Sequence, residues 1–440
     1  MNLIQAFGFT RNDCISFIGE EVKAAALFQI AREYQCPVLV TTTTHIEAWE
    51  TCLADHHIVL DENNHLKAID LNNVKGVILI TGPRTHEAMY GGPKLTVLED
   101  IYHFSQYYQF PLLVEADGSR RESLQAPEDN EPVIPTFSTC VVNVVGLAAL
   151  ENPLEEKWGF RPDILTEASD SGEGGIISAN SPSKILNPKN GCLKNIEDNV
   201  KKYLILIQAD TIQLKALAGK MADDLISFYE KIVICQLSAD QQLITRKKPI
   251  GAIILAAGGS SRFGKAKQLN IWREKAYTEN SVIAAQLAGL APIIVVTGYE
   301  HENLEIILKK YPVQTVFNPE WQKGQSTSMK IGLGHLEKRT QGVIFLMADQ
   351  PQVSVSLIRA LMEHAYLTDR QVISPLIDGN RSTPIYFDQK VFHELMKVEG
   401  DQGGRSILSL YPPFLIEWFD TRMGLDIDFV TDINYLKTIE

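Results

Sequence analysis

Short apolar runs without polar interruption recur along this chain, and they constrain its fold more than any other feature. The first half carries CISFIG (14–19), PVLVTT (37–42), GVILITG (76–82), PLLVEADG (111–118), CVVNVVG (140–146) and KYLILIQAD (202–210). The second half carries GAIILAAG (251–258), PIIVVTG (292–298), VQTVFN (313–318), GVIFLMAD (342–349) and QVISP (371–375). A strand with one wet face alternates apolar and polar residues, so uninterrupted runs predict parallel strands covered on both faces. Helical patterns fill the intervals, which predicts an α/β chain of two doubly wound domains. Between IVICQL (232–237) and the next apolar run lies the polar stretch SADQQLITRKKP (238–249), which ends in three basic residues and Pro249. The domain boundary is expected near 240–249, giving domains 1–245 and 246–440. The length of 440 residues agrees with two or three domains at ~150 residues each.

Charge and composition exclude several function classes. The 54 acidic and 41 basic side chains give a formal charge of −13, which repels a phosphate backbone and argues against nucleic acid as a partner. No apolar run reaches the ~20 residues of a membrane span, and MNLIQAFGFTRND lacks the order of a secretion signal, so a cytoplasmic location with no membrane partner is expected. Cys14, Cys36, Cys52, Cys140, Cys192 and Cys235 form no C-x-x-C pair, which leaves them as ordinary thiols.

Chemistry concentrates at the ends of the apolar runs. LAAGGSSRFGKAK (255–267) follows a buried strand: glycines let backbone N–H groups approach phosphate oxygens, and Arg262, Lys265 and Lys267 supply charge. A tight strand-to-helix turn explains the glycines but not three cations within six residues. Gly259, Gly264 and Lys265 fit the spacing of a P-loop, yet Ala266 follows without the hydroxyl that would hold Mg²⁺. Ser326 and Ser328 in GQSTS (324–328) suit either helix caps or hydroxyls near a nucleotide. Asp349, after the run 343–347 and before Gln350 and Pro351, suits either a turn or one oxygen ligand of Mg²⁺. GDQGGR (400–405) reads as a glycine-rich turn or as a ligand loop.

Taken together, these segments resemble the molybdenum cofactor cytidylyltransferases, MobA-like NTP transferases, over essentially all of 250–440. The resemblance implies a Rossmann-like nucleotidyltransferase domain. Leu255, Ala256, Ala257, Gly258, Gly259, Ser260, Gly264, Lys265, Ser326 and Ser328 would bind the nucleotide, and Arg262, Lys267 and Asp349 would be catalytic. It further implies Asp349 and Asp428 as ligands of Mg²⁺, and Asp401, Gly403 and Arg405 at the pterin-binding surface. The Asp-Gln-Pro form of 349–351 is similar to the cytidylyl-transferring branch, which implies CTP as substrate. Phe429 and Val430 stand where the family has Thr and Pro, and Ser382 and Thr383 replace its Gly-Asn/His before Pro384.

The first half resembles the YqeC-like accessory family of selenium-dependent molybdenum hydroxylases, whose first loop is normally a P-loop. Here that loop is GEEVKAA (19–25), keeping Gly19 and Lys23 but placing Glu20 and Glu21 where phosphates would sit and Ala24 where a hydroxyl would ligate metal. A degenerate P-loop-like domain without nucleotide hydrolysis is expected. EADGSR (115–120) resembles the family's carboxylate loop, and Gln208, Ala209 and Asp210 occupy the place of a base-reading motif. Thr41, Thr42, Thr43 and Thr44 suit a strand end or a cap, and His45 alone reads as a loop residue.

The two resemblances imply transfer of CMP from CTP to the phosphate of molybdopterin, with pyrophosphate leaving, during maturation of molybdenum hydroxylases. A hydroxylase apoenzyme is then a possible partner beside the small-molecule substrates. A transferase for another sugar or alcohol phosphate, and a non-catalytic cofactor carrier, are the alternatives.

Overall fold

The computed structural model describes residues 1–19, 22–60, 74–116, 133–148, 193, 196–197, 199–237, 242–259, 266–425 and 427. The chain divides into two compact units, Met1–Lys247 and Lys248–Glu440.

The first unit is built on a nine-stranded sheet. Its strands are β1 (Cys14–Gly19), β2 (Val38–Thr42), β3 (His56–Val59), β4 (Val77–Thr81), β5 (Leu112–Glu115), β6 (Cys140–Gly146), β7 (Lys201–Ile207), β8 (Lys231–Leu237) and β9 (Gln242–Lys247). The spatial order is β9-β8-β7-β6-β1-β5-β2-β4-β3, parallel except for the edge strand β9. Strand order reverses beside β1, the position where such sheets open a crevice at their carboxyl ends. The polar stretch 238–249 therefore contains a strand rather than only a linker. Leu243, Ile244 and Thr245 supply β-formers, and an edge strand tolerates the basic residues beside them. The helix Lys23–Glu33 follows β1 directly, favoured by its alanines, and buries Leu27, Phe28 and Ile30 against the sheet.

The second unit has an eight-stranded sheet. It comprises β10 (Ile250–Ala256), β11 (Ile293–Thr297), β12 (Gln314–Phe317), β13 (Gly342–Met347), β14 (Val372–Ile377), β15 (Asn380–Arg381), β16 (Ile385–Asp388) and β17 (Phe414–Glu417). The order is β12-β11-β10-β13-β16-β14-β15, with β17 on β14. β10 to β13 are parallel, and β16 turns antiparallel against β13 and β14, so the sheet is mixed. Both faces are covered, as uninterrupted apolar strands require. Ile253 and Leu255 pack with Met329 and Leu333 of the helix Gln325–Gly334, while Ala252, Ile254 and Ala256 pack with Val282 and Ala285 of the helix Tyr277–Ala288.

The switch point of this sheet lies between β10 and β13. Their register sets Leu255 opposite Met347, so the loop from Ala257 and the turn at Asp349 leave the sheet side by side. Among the described residues no helix is long and apolar enough to cross a membrane.

Candidate active site

At the end of β10, Leu255 accepts a hydrogen bond from the backbone of Ala348 (3.2 Å), which fastens the two switch-point loops at their roots. Ala257 accepts from the backbone of Tyr299 (3.2 Å), and the glycines that follow are set by close approach. A Cβ on Gly259 would lie 2.9 Å from the Trp321 ring, so the chain can pass there only without a side chain. Gly258 faces open space. Past the loop, the Gln268 Nε2 donates to the carbonyl of Ala256 (3.3 Å) and to that of Gly258, closing the loop's return onto its start. Ser260, Arg262, Gly264, Lys265 and Asp428 lie outside the described residues.

Lys267 sits one residue before Gln268, and its ammonium lies 3.9 Å from a carboxylate oxygen of Asp349. The Lys267 side chain is 9% exposed and that of Asp349 31%. Two residues far apart in sequence thus meet at the crevice, one buried, the other partly exposed.

The serines of the Gln325–Gly334 helix do not cap it. Gly324 is the N-cap, with φ of +112° and no side-chain bond. Ser328 is buried and accepts from Asn318 Nδ2 (2.9 Å), and Ser326 is buried beside it in the first turn. The capping group comes instead from Gly400–Ser409, which forms a 3₁₀ helix kinked at Gly403 rather than the plain glycine-rich turn or loop expected: the Gln325 N–H donates to Asp401 Oδ1 at 3.3 Å. A carboxylate at a helix N-terminus is favourable on charge grounds, and it gives Asp401 a structural tie in addition to its place on the cavity wall. Gly403, with φ of +51°, lies so close to Gln325 that a Cβ would stand 2.3 Å from its Oε1.

A cavity of about 1050 Å³ opens beside the Asp349 turn; Gly258, Gly259, Lys267, Ser326, Ser328 and Gly403 are not among the residues that line it. Leu255, Met347 and Asp349 line it at the switch point, with Gln325 and Met329 beside them. Asp401, Gly404 and Arg405 line it from the 400–405 stretch, and Arg381, Ser382 and Thr383 from the segment before β16. Arg381 opens the segment whose Ser382 and Thr383 depart from the family pattern, and the sequence reading gave it no ligand role. Gln268, Trp321 and Asn318 likewise carry no sequence signal, because each acts through backbone or hydroxyl contacts that only the fold assembles.

The donor set suits a hard divalent cation. Asp349 offers one carboxylate on the cavity wall, and Mg²⁺ commonly takes one or two carboxylates with substrate phosphates and water completing its shell. Among the described residues there is no group of three or more His, Cys, Asp or Glu able to hold a metal by itself.

The first unit has a second lysine and carboxylate at its own switch point. Lys23 Nζ lies 3.3 Å from Glu115 Oε1, with the two side chains only 4% and 8% exposed. Glu50 is buried near them, and its carboxyl is pushed up to about 8 by burial and by the charge of Glu115, with Lys23 opposing. Gly19 ends β1 at φ of +107°, where a Cβ would lie 2.3 Å from the Val144 carbonyl oxygen. The threonine run ends a strand: Thr41 and Thr42 close β2, Thr43 N–H donates to the Glu115 carbonyl (2.9 Å), and Thr44 N–H donates to Thr42 Oγ1 (3.2 Å). His45 opens a short strand paired with Gly91. Gln208 holds φ of +64° and accepts from the backbone of Ala148 at 3.4 Å. Glu20, Glu21 and 117–120 lie outside the described residues.

Residues 252–414 match the family model described as MobA-like NTP transferase domain, and residues 15–163 match that described as YqeC protein. Among curated relatives, the purine catabolism protein PucB of Bacillus subtilis (strain 168) is 31% identical over 165 residues, spanning 36% of this chain and 78% of the relative. The molybdenum cofactor cytidylyltransferase of Escherichia coli (strain K12) is 26% identical over 189 residues, spanning 43% of this chain and 95% of the relative. The uncharacterized protein YqeC of the same organism is 29% identical over 183 residues, 36% of this chain and 66% of that protein. Through its second unit this chain belongs to the MobA-like NTP transferase family of nucleotidyltransferases, and through its first it carries a YqeC domain.

Proposed function

We propose that the second unit transfers CMP from CTP to the terminal phosphate of molybdopterin or its molybdenum-loaded form, releasing pyrophosphate. The observation that carries this reading is the approach of Lys267 to Asp349, with Asp349 on the lining of a cavity roomy enough for two substrates. The similarity to a molybdenum cofactor cytidylyltransferase supports the choice of acceptor and of CTP.

In the reaction, an oxygen of the acceptor phosphate forms a bond to the α-phosphorus of CTP. The bond from that phosphorus to the bridging oxygen breaks, and pyrophosphate leaves with the electron pair. No protein nucleophile is required, because the attacking oxygen is already ionised; positioning and charge stabilisation must supply the acceleration. Backbone N–H groups of the loop beginning at Gly258 and Gly259 cradle the triphosphate. Lys267 neutralises charge on the transferring and leaving groups, aided by Arg262 and Lys265 of the same loop. Asp349, with Asp428 as a second ligand, would hold Mg²⁺, which when bound would supply positive charge to neutralise the triphosphate. Arg405 and Arg381 on the cavity lining favour an anionic acceptor, with Asp401 and Gly403 shaping the segment that presents Arg405.

Purified molybdopterin and CTP with Mg²⁺ should yield pyrophosphate and a cytidine dinucleotide product, and GTP should be turned over at least tenfold more slowly. Pyrophosphate release with other sugar or alcohol phosphates but not with molybdopterin would favour a different acceptor. Tight molybdopterin binding without any release would favour a carrier.

A further inference from the structure

The Asp349 turn is tied to both walls of the cavity through its neighbours. Gln350 is 2% exposed, and its Oε1 accepts a hydrogen bond from Thr383 Oγ1 at 2.5 Å. Two residues on, Gln352 Nε2 donates to the Leu425 carbonyl at 2.6 Å. Thr383 and Leu425 both line the cavity, on the segment before β16 and on the stretch 421–425 respectively. The Thr383 segment is itself anchored from behind. Ser382 N–H donates to the Pro375 carbonyl (3.0 Å), and the fully buried Ser374 donates through Oγ to the Ser382 carbonyl (2.8 Å). A continuous set of bonds therefore runs from β14 through Ser382 and Thr383 to Gln350, the residue next to Asp349.

We propose that Thr383, acting through Gln350, is a positioning residue that aims the Asp349 carboxylate. A metal ligand must be held in one place, and fixing the residue next to it fixes the backbone from which its side chain departs. The turn's own backbone bonds, Gln350 N–H to Met347 O and Val353 N–H to Gln350 O, are both long at 3.3 Å. The short Thr383 bond is the stronger restraint on the peptide after Asp349. Its loss leaves a buried amide oxygen without that donor, and the turn relaxes to rehydrate it. Thr383 and Ser382 are also where this chain departs from the family pattern before Pro384. The hydroxyl at 383 is a short donor that reaches Gln350 while leaving the cavity wall open above it.

This inference rests on the reading of Asp349 as a metal ligand, and the test separates the two. Mn²⁺ binding to the full chain with CTP is followed by electron paramagnetic resonance for wild type, T383V, T383S and D349N. T383V keeps the shape and removes the donor; T383S keeps the donor. We expect Mn²⁺ affinity to fall at least fivefold in T383V and to stay within twofold of wild type in T383S, while thermal melting of both stays close to wild type. CTP affinity measured without metal should be unchanged, which a general loss of structure would not give. Wild-type Mn²⁺ binding by D349N would overturn the reading of Asp349 and the inference with it. Weakened binding by D349N together with unchanged binding by T383V, or equal loss in T383S and T383V, would overturn the inference alone.

Discussion

Lys23 with Glu115 and Lys267 with Asp349 occupy equivalent places in two different sheets. In each unit a lysine follows the loop leaving a central strand, and a carboxylate lies at the end of the parallel neighbour, β5 beside β1 and β13 beside β10. The two pairs differ in what surrounds them. The first is closed at 3.3 Å and buried, with a second buried glutamate, Glu50, beside it whose carboxyl is pushed up to about 8. The second is loose at 3.9 Å, and its carboxylate faces a large cavity. A lysine already neutralised inside the protein has no charge to offer a phosphate. The same topology therefore carries one closed, buried pair and one loose pair beside a cavity.

This contrast can be broken most sharply at Asp349. The variant D349A should lose at least a hundredfold in nucleotidyl transfer, since removal of a metal ligand costs about 3 kcal/mol or more in the transition state. Its melting temperature should change little, because a half-exposed loop carboxylate contributes little packing. Retention of a tenth of the wild-type rate would remove Asp349 from the metal site.

The buried pair should respond in the opposite way, through stability. Leaving Glu115 buried without its lysine in K23M should destabilise the first unit by about 3–5 kcal/mol, read as a lower urea midpoint for its unfolding step. The double variant K23M/E115L should recover most of that loss, since no charge is then stranded. Equal destabilisation by the single and double variants would show that the pair is not the closed unit described here.

A smaller effect concerns pH. Burial and the charge of Glu115 hold the Glu50 carboxyl protonated in the folded state well above the ordinary glutamate range, with a midpoint of about 8. The folded state then binds more protons than the unfolded chain, so this group's stabilisation is complete below the ordinary range and is lost as pH rises through about 8. The melting temperature of the first unit should fall between pH 5 and 9, and E50Q should flatten the slope. A rise in stability over that interval would contradict the account.

Much of this was legible in the sequence, for identifiable reasons. Runs such as GAIILAA and CVVNVVG read as doubly covered parallel strands because nothing polar interrupts them, and both lie at the centre of their sheets. Asp349 could be placed beside the glycine loop because both sit just beyond such runs. The edge strand β9 was hidden, because its charged residues look like a linker until a neighbour supplies hydrogen bonds. Asp401 looked like a ligand for the acceptor, and its bond to the Gln325 backbone depends on a contact across 76 positions. The pairing of Lys23 with Glu115 was equally invisible: each residue resembled a remnant of a phosphate site, and only the register of β1 with β5 shows that they neutralise each other.

The direct test of the contrast between the two crevices is the number of nucleotides the chain holds. Calorimetric titration of the full chain with CTP at millimolar Mg²⁺ should give one site per chain. Subsequent addition of ATP or GTP to the CTP-saturated protein should give no further heat of binding. A second equivalent of either nucleotide bound at micromolar concentration would contradict the closed first crevice and make this a chain with two working nucleotide sites.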